Sequence, residues 1–345
     1  MKVIVGIPKE IKINEQRVSL VPEKVKKLTE KNVIVYIESG AGIYADYTDE
    51  QYIEAGGIIC NSAEEVYMNA NLIIKVKEPL QSEFSLITEK HTIFTFFHFK
   101  GVSNLLNAMI KSKSLCIAYE TVQTSDGKYP ILSPMSEIAG EESIIQGIKY
   151  MDQNIVPINT TITIIGAGTV GKAAANMAKY LGYNNIYIID KDNNKLAEMQ
   201  INNFKTLYSS QQNIEKVLSI SNIVIGAIYN TGKEAEKIIT SEMLTMMPND
   251  SVFVDVAIDQ GGMTEQSYPT TISNPIIQYE HIKLYCVQNI PSRIPNRASI
   301  QLSDAIYPYI ELMACYGIKE ALEKSDELKK GVNIENGNII HESLL

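Results

Sequence analysis

The feature that most constrains the fold is a glycine motif set between an apolar segment and a helical segment. Residues 161–165 form a compact apolar run that predicts a strand, and this run leads directly into G-x-G-x-x-G at residues 166–171. The alanine-rich segment that follows, up to Leu181, predicts a helix. A strand, a glycine turn and a helix in this order are typical of a βαβ unit in a doubly wound sheet.

Each glycine of this motif has a physical task if a dinucleotide binds there. Gly166 allows the tight turn, Gly168 lets the backbone approach a pyrophosphate, and Gly171 lets the helix pack closely on the strand. The start of the helix, at Thr169 and Val170, offers N–H groups and a partial positive charge to the phosphates. The motif alone is a weak signal, but its position between a strand and a helix favours dinucleotide binding.

An acidic residue stands at the expected distance from the motif. The next predicted strand, residues 186–189, runs into Asp190, about 20 residues after Gly171. A carboxylate there accepts hydrogen bonds from the adenosine ribose and repels a 2′-phosphate, so the sequence favours NAD over NADP. Lys191 follows and weakens this preference slightly. The alternative interpretation is a glycine turn that binds no ligand.

Short β-rich runs alternate with helical stretches along the chain, which predicts parallel sheets built from βαβ units. A length of 345 residues suggests two domains. Predicted helices at 133–151 and 298–306 indicate that one domain interrupts the other. We therefore predict an α/β fold with two Rossmann-like, doubly wound parallel-sheet domains. The middle domain, residues 134–301 with a linker helix, is inserted between residues 1–133 and 302–345 of the other.

Composition disfavours several classes of protein. A formal charge of −9 argues against a general binder of nucleic acid or anionic membranes, because both need a basic face. No apolar run approaches the roughly 18 residues that a membrane-spanning helix needs, and the N-terminal apolar segment is too short for a signal peptide. The four cysteines are far apart, which disfavours a disulfide framework or a metal cluster. We expect a cytoplasmic protein without a metal site.

Polar residues that could act on a substrate stand beside apolar runs in the first third of the chain. Arg17 lies in a polar loop, Lys75 and Lys77 lie at the end of a predicted strand, and His98 directly follows an aromatic strand. Such groups suit an anionic substrate such as a carboxylate. Arginine holds it by two parallel hydrogen bonds, lysine polarises a carbonyl, and histidine moves a proton. Each residue alone is more often a surface or structural group, and their spacing does not show that they meet.

Asp259 is a further candidate for proton transfer. It follows a predicted strand and precedes two glycines, so we expect it on a flexible turn beside a bound nicotinamide. The alternative is an aspartate that caps the turn. The remaining histidines, His91, His281 and His341, have polar neighbours, and we predict them at the surface.

Further short motifs recur in order along nearly the whole chain. They occupy residues 6–10, 14–18, 38–42, 75–79, 94–98, 118–123, 134–140, 254–262, 269–271 and 285–289. Together with the glycine motif they resemble the alanine dehydrogenase / pyridine nucleotide transhydrogenase family, and its dehydrogenase branch most closely. A match of so many segments, in the same order along the chain, is far more specific than any single motif.

The resemblance implies an activity and a division of labour. Members of the dehydrogenase branch oxidatively deaminate L-alanine to pyruvate and ammonia with NAD, reversibly, and are commonly homo-oligomers. The discontinuous domain would hold the substrate, and the middle domain would hold NAD. By matching positions, Asn289 and Ile290 would lie against the nicotinamide and Ser136 near the pyrophosphate.

The same matching implies roles for the polar candidates. Arg17 and Lys77 would bind the carboxylate and carbonyl of the substrate, and His98 and Asp259 would serve proton transfer. The protein would mainly position the substrate and neutralise its charge while hydride passes between the substrate Cα and the nicotinamide. Retention of all four residues favours an active dehydrogenase.

The chain departs from the family pattern near Glu141, Phe99 and Arg293. An added Lys100 or Arg293 near the site would suit a larger or more acidic amino acid. Three alternatives therefore stand beside an L-alanine dehydrogenase. They are a dehydrogenase for another amino or imino acid, a relative of the NAD-binding transhydrogenase subunit, and a catalytically silent NAD-binding regulatory protein.

Overall fold

The computed structural model describes residues 2–99, 103–152, 156–228 and 235–344. The chain forms two compact units, of which the first comprises Met1–Met135 and Ser292–Leu345 and the second comprises Ser136–Pro291. The second unit thus interrupts the first along the sequence. Lys100, which the sequence suggested as an added cation, lies outside the described residues.

Strands and helices alternate through both units. In chain order the strands are β1 (Ile4–Ile7), β2 (Ile34–Glu38), β3 (Ile58–Cys60), β4 (Leu72–Lys77), β5 (Thr92–Phe96), β6 (Leu115–Ala118), β7 (Thr161–Ile165), β8 (Asn185–Asp190), β9 (Lys205–Tyr208), β10 (Ile223–Gly226), β11 (Val252–Asp255), β12 (Ile276–Tyr279), β13 (Ile282–Tyr285), β14 (Val332–Glu335) and β15 (Asn338–Ile339). The α-helices are α1 (Pro22–Thr29), α2 (Asp49–Glu54), α3 (Ala63–Asn69), α4 (Ser103–Ser112), α5 (Leu132–Tyr150), α6 (Thr169–Tyr180), α7 (Asn193–Ile201), α8 (Gln211–Leu218), α9 (Ser241–Thr245), α10 (Pro295–Tyr316), α11 (Ile318–Lys324) and α12 (Asp326–Lys330).

The sheet of the first unit has the strand order β15-β14-β6-β5-β4-β1-β2-β3. The strands β1 to β6 pair in parallel, whereas β14 and β15 add an antiparallel edge. The central strands β4 and β5 are almost entirely buried, as expected of near-continuous apolar runs covered on both faces. The last residue of β4, Lys77, stands opposite Phe96 at the end of β5. This register brings Lys77 and the segment that carries His98 to the same edge of the sheet.

The sheet of the second unit has the order β12-β13-β11-β10-β7-β8-β9, and it is parallel except for the edge strand β12. The strand order reverses beside β7, which is the place where a crevice opens outside the carboxyl ends of the strands. In register, Gly226 of β10 stands opposite Ile165 of β7 and Asp255 of β11. The glycine motif therefore begins at this crevice.

Both predicted sheets are present, so the predicted α/β fold class is confirmed. The helix of the glycine motif, α6, begins at Thr169. The second predicted long helix extends well beyond residue 306, since α10 runs from Pro295 to Tyr316. Among the described residues, none of the helices combines the length and apolarity that crossing a membrane requires.

Candidate active site

Arg17 is buried in the loop between β1 and α1, where Glu15 holds its guanidinium. The Nε atom lies 2.7 Å from Glu15 Oε1 and Nη2 lies 2.6 Å from Oε2, a bidentate pair with side chains at most 2% exposed. The Arg17 backbone N–H also donates to Glu15 Oε1, and Nη1 lies 3.2 Å from Met135 Sδ. Glu15 therefore fixes the orientation of the guanidinium, a type of group that binds carboxylates by paired hydrogen bonds.

The two lysines at the end of β4 have different surroundings. Lys75 is fully buried, and its Nζ lies 3.1 Å from Glu83 Oε1 and 3.4 Å from Glu10 Oε2. Lys77 is half-buried at the last position of the strand. Lys75 is thus committed to an internal ion cluster, whereas Lys77 lies at the rim where β4 ends.

The backbone at His98 is held in an uncommon conformation. Its φ angle is +49°, in the left-handed region that residues other than glycine rarely occupy. The carboxylate of Glu120, just after β6, accepts hydrogen bonds from the N–H of His98 at 2.7 Å and of Phe97 at 3.2 Å. Burial raises the pKa of Glu120, and these two N–H donors oppose that rise. Glu120 therefore fixes the turn that presents the imidazole.

The surroundings of His98 favour a neutral imidazole. Burial lowers the pKa of His98 well below its ordinary value, and the positive charges of Lys77, Lys12 and Arg17 lower it further. His98 is nevertheless exposed at its surface, so protein atoms crowd the imidazole while solvent and small molecules still reach it. The influence of these charges shows that Arg17, Lys77 and His98 share one neighbourhood, which their spacing in the sequence did not show. A neutral imidazole beside cations can accept a proton from a bound substrate.

The glycine motif in the second unit fits a dinucleotide by its packing. A Cβ at Gly166, whose φ is +111°, would lie 2.5 Å from the Ala227 carbonyl oxygen, and one at Gly171 would overlap the Gly166 carbonyl. A Cβ at Gly168 would meet no atom of the described residues within 4 Å. Gly166 and Gly171 are thus required by the protein's own packing, whereas Gly168 leaves the backbone open to a pyrophosphate.

The start of α6 is suited to a phosphate. Gly168 is its N-cap, and in the described part of the chain no side chain caps the first N–H groups of the helix. Thr169 is exposed and Val170 is half-buried. Uncapped N–H groups at a helix N-terminus bind anions together with the helix dipole.

Asp190 ends β8 and contacts the glycine turn directly. Its Oδ2 accepts the N–H of Ala167 at 2.7 Å, and its Oδ1 accepts the N–H of Asp192 at 2.8 Å. An ionised carboxylate has about four acceptor positions, so these bonds are compatible with a ribose hydroxyl as a further donor. Ser136 lies half-buried on α5 in the same unit.

Asp259 and Asn289 come together in the second unit. Asp259 is exposed, and both of its carboxylate oxygens lie 3.4 Å from the backbone N of Asn289, which has a left-handed φ of +54°. Ile290, next in the chain, is only 3% exposed. The expected flexible turn around Asp259 is a 3₁₀ helix over Val256–Gln260 that ends at Gly261.

Asp255 and Lys237 anchor the loop that carries Asp259, and neither was among the predicted site residues. The buried Oδ2 of Asp255 accepts hydrogen bonds from Met263 N at 2.7 Å and Ser267 Oγ at 2.6 Å. Lys237 Nζ donates to the Thr264 carbonyl at 3.1 Å. Asp255 is visible in the sequence as an acid at the end of an apolar strand, but its partners are set by the folded loop.

The prediction that His91 lies at the surface is wrong. His91 is 2% exposed, with Nε2 at 2.8 Å from the Tyr67 carbonyl oxygen and Nδ1 at 2.9 Å from Thr88 N. The tight turn before β5 folds the ring onto the edge of Tyr67, which polar neighbours in the sequence do not reveal. His281 and His341 are half-buried.

Comparison with known proteins identifies the family. The family model "Alanine dehydrogenase/PNT, N-terminal domain" matches residues 6–139, and the corresponding C-terminal domain model matches residues 150–342. The chain is 37% identical to the alanine dehydrogenase of Methanococcus maripaludis, with 99% of this chain and 95% of the relative covered. It is 34% identical to the alanine dehydrogenase of Mycolicibacterium smegmatis, with the same coverage.

Solved structures agree with the family models. An L-alanine dehydrogenase with 32% sequence identity superposes with a TM-score of 0.93 and covers 99% of this chain and 98% of its own. A transhydrogenase from Sinorhizobium meliloti, at 23% identity, has the same fold with a TM-score of 0.85 and covers 99% of both chains. The chain therefore belongs to the alanine dehydrogenase / pyridine nucleotide transhydrogenase family, as its motifs predicted.

Proposed function

We propose that the chain is an NAD-dependent dehydrogenase that oxidatively deaminates L-alanine to pyruvate and ammonia, and that also catalyses the reverse reaction. The observation that carries this proposal is the cluster of Arg17, Lys77 and a neutral His98 at one edge of the first sheet. It combines a group that holds a carboxylate with a cation and a proton acceptor. Relatives named alanine dehydrogenase that cover 99% of the chain support the same substrate.

NAD would be held by the second unit. The packing of Gly166, Gly168 and Gly171 and the uncapped start of α6 suit a pyrophosphate. Asp190 would bind the adenosine ribose and disfavour a 2′-phosphate. The other residues proposed to line the cofactor are Ser136, Thr169, Val170, Asn289 and Ile290. When bound, NAD supplies the acceptor for the hydride that leaves the substrate Cα.

The side chains of the first unit would prepare the substrate for this transfer. Arg17, oriented by Glu15, would hold the substrate carboxylate by paired hydrogen bonds. His98 would accept the proton released as the amino group becomes an imine and water adds to it. Lys77 would stabilise the oxygen that forms at the same carbon. Asp259 would order the reacting groups. In the overall change, alanine, water and NAD⁺ would give pyruvate, ammonium, NADH and a proton.

The setting of the enzyme is part of the proposal. All four cysteines lie within the described part of the chain and are free thiols, which suits the reducing cytoplasm. We propose a cytoplasmic homo-oligomer, in keeping with its family. The departures at Glu141, Phe99 and Arg293 leave larger or more acidic amino acids as competing substrates.

One assay tests the activity. Purified protein is incubated with NAD and a panel of amino acids while NADH absorbance is followed, and with NADH, ammonia and 2-oxo acids in reverse. NAD binding is measured separately by titration. We expect L-alanine and pyruvate to give the highest kcat/KM. Binding of NAD without turnover of any amino acid would contradict a dehydrogenase activity. A higher kcat/KM for an acidic amino acid would show that this amino acid, and not alanine, is the preferred substrate.

A further inference from the structure

A buried carboxylate lies beneath the end of β4. The Oε1 atom of Glu10, from the segment after β1, lies 2.6 Å from the backbone N of Val76 and 3.4 Å from the backbone N of Lys77. The Glu10 side chain is 4% exposed. Glu10 thus accepts hydrogen bonds from the backbone of the residue proposed to bind the substrate carbonyl and of its neighbour.

The strand pairing explains why this contact matters for Lys77. The register between β4 and β5 is regular up to Ile74 and then shifts before Lys77, so the ladder is irregular where the strand ends. On the β5 side, Thr95 Oγ1 donates to the Lys77 carbonyl at 2.9 Å. Side chains rather than a regular ladder therefore fix the backbone of Lys77 from both directions.

The opposite oxygen of Glu10 faces Lys75. Glu10 Oε2 lies 3.4 Å from Lys75 Nζ, and Glu83 approaches the same ammonium at 3.1 Å. Glu83 also accepts the N–H of Leu80 at 2.8 Å and the hydroxyl of Tyr67 at 3.1 Å. Burying such charges costs free energy that their attraction only partly offsets, so stability alone gives this cluster little advantage.

The charge of Lys75 favours the ionised form of Glu10, which accepts hydrogen bonds best. The pKa of Glu10 is raised to about 7, mainly by burial, and the nearby carboxylates of Glu15 and Glu83 add to the rise. The positive charge of Lys75 opposes it, as does the hydrogen bond from Val76. Burial alone would lower the pKa of Lys75, but Glu10 and Glu83 outweigh that effect and raise it.

We propose that Glu10 is a positioning residue for Lys77, which fixes the irregular end of β4 so that the Lys77 ammonium meets the substrate carbonyl. This inference rests on the proposed function of Lys77. Lys75 and Glu83 support Glu10 but do not themselves touch the Lys77 backbone. Glu10 and Glu83 form a matched pair, because both approach Lys75 and only Glu10 contacts Val76 and Lys77.

The test compares the Glu10→Ala, Glu10→Gln and Glu83→Gln variants of the full chain. Glu10→Ala should raise KM for alanine and pyruvate about 10- to 100-fold, the scale of a displaced binding group, with an unchanged NAD dissociation constant. Glu10→Gln keeps an amide oxygen for Val76 N–H, so it should recover most of this loss. Glu83→Gln should lower thermal stability and leave KM for alanine unchanged. An unchanged KM in Glu10→Ala would overturn the proposal, and so would a rise of KM in Glu83→Gln as large as that in Glu10→Ala, because a purely structural cluster predicts equal effects.

A double-mutant cycle separates this inference from the function on which it rests. In a Lys77→Ala background, Glu10→Ala should have no further effect on KM for alanine, because the group that Glu10 positions is gone. Additive effects would contradict positioning while leaving the role of Lys77 intact. An unchanged KM in Lys77→Ala alone would overturn both, since Lys77 would then not bind the substrate.

Discussion

The two compact units carry different kinds of chemical groups at the carboxyl ends of their strands. In the first unit, charged side chains are held by buried carboxylates, as Arg17 is by Glu15. In the second unit, the main features are backbone N–H groups and glycines, above all Gly168 and Gly171, whose lack of a side chain leaves room for close approach. The first arrangement suits a small charged substrate, and the second suits a long ligand that lies along the backbone.

This difference has a consequence for mutation. A substitution in the first unit removes a charge or its partner, so it should change catalysis or substrate affinity. A substitution in the glycine motif adds side-chain atoms. These atoms should fill the room that the helix or the cofactor needs, and should therefore lower stability or cofactor affinity. Variants of the two units test this contrast.

His98→Ala should lower kcat about 10²- to 10⁴-fold, because the proposed proton acceptor is removed. The NAD dissociation constant should stay unchanged, since NAD is assigned to the second unit. His91→Asn is the matched control, because His91 is buried with backbone partners and has no proposed catalytic role. It should lower the melting temperature without changing kcat. Undiminished turnover in His98→Ala would rule out its proposed role.

Arg17→Lys should raise KM for alanine and pyruvate about 10- to 100-fold, the equivalent of the roughly 1.5–3 kcal/mol of a hydrogen bond to a charged group. Lysine keeps the charge but lacks the planar fork that binds Glu15 and a carboxylate together. Steady-state kinetics with each substrate varied will measure the effect. A KM equal to that of the unmodified enzyme would show that the charge of Arg17, and not its geometry, is what matters.

Gly171→Ala and Gly168→Ala should differ in kind. A Cβ at Gly171 overlaps the Gly166 carbonyl, so this variant should lose about 1–3 kcal/mol of unfolding free energy. Gly168 has a φ of −77°, which alanine adopts without strain, and its Cβ would meet open space. Gly168→Ala should therefore fold normally and bind NAD about tenfold more weakly. Thermal melts and NAD titrations measure both quantities, and normal NAD binding by Gly168→Ala would contradict the proposed cradle.

Asp190→Asn should reduce the preference for NAD over NADP about tenfold, the equivalent of about 1.4 kcal/mol. Asparagine can still accept the Ala167 N–H, but it no longer repels a 2′-phosphate. The ratio of kcat/KM for the two cofactors is the readout. An unchanged ratio would mean that another residue selects the cofactor.

The pH profile of kcat/KM for alanine should lack an inflection near 6.5, the ordinary pKa of histidine. Because burial and the neighbouring cations lower the pKa of His98, the imidazole stays neutral until the pH falls well below that value. Activity should decline only on that more acidic side, where the ring gains a proton. A decline centred at or above 6.5 that disappears in His98→Asn would contradict the direction of this shift.

The glycine motif of the second unit was predictable because its requirements are local. The tight turn at Gly166 and the close packing of α6 need glycine at fixed spacings, and spacing is visible in the sequence. The strands β9 and β14 are hard to predict from sequence because they are short and lie toward the sheet edges. The exposure of β9 does not alternate regularly, and β14 pairs with the distant β6.

The charged site was only partly predictable. Its substrate-contacting candidates stand at strand ends or in recognisable motifs, but their partners are set by tertiary packing. Glu120 meets the His98 backbone across 22 residues, and Glu10 meets Val76 across 66. Lys75 and Lys77 look alike in sequence, and only the fold shows that Lys75 is committed to buried carboxylates.

The most direct test of the proposed reaction follows the transferred hydrogen. L-Alanine deuterated at Cα is incubated with the enzyme and NAD, and the reduced cofactor is examined by NMR. We predict that deuterium appears at C4 of the nicotinamide ring in amounts matching the pyruvate formed. Pyruvate formed without deuterium in the cofactor, or NAD bound without any pyruvate, would contradict hydride transfer from alanine.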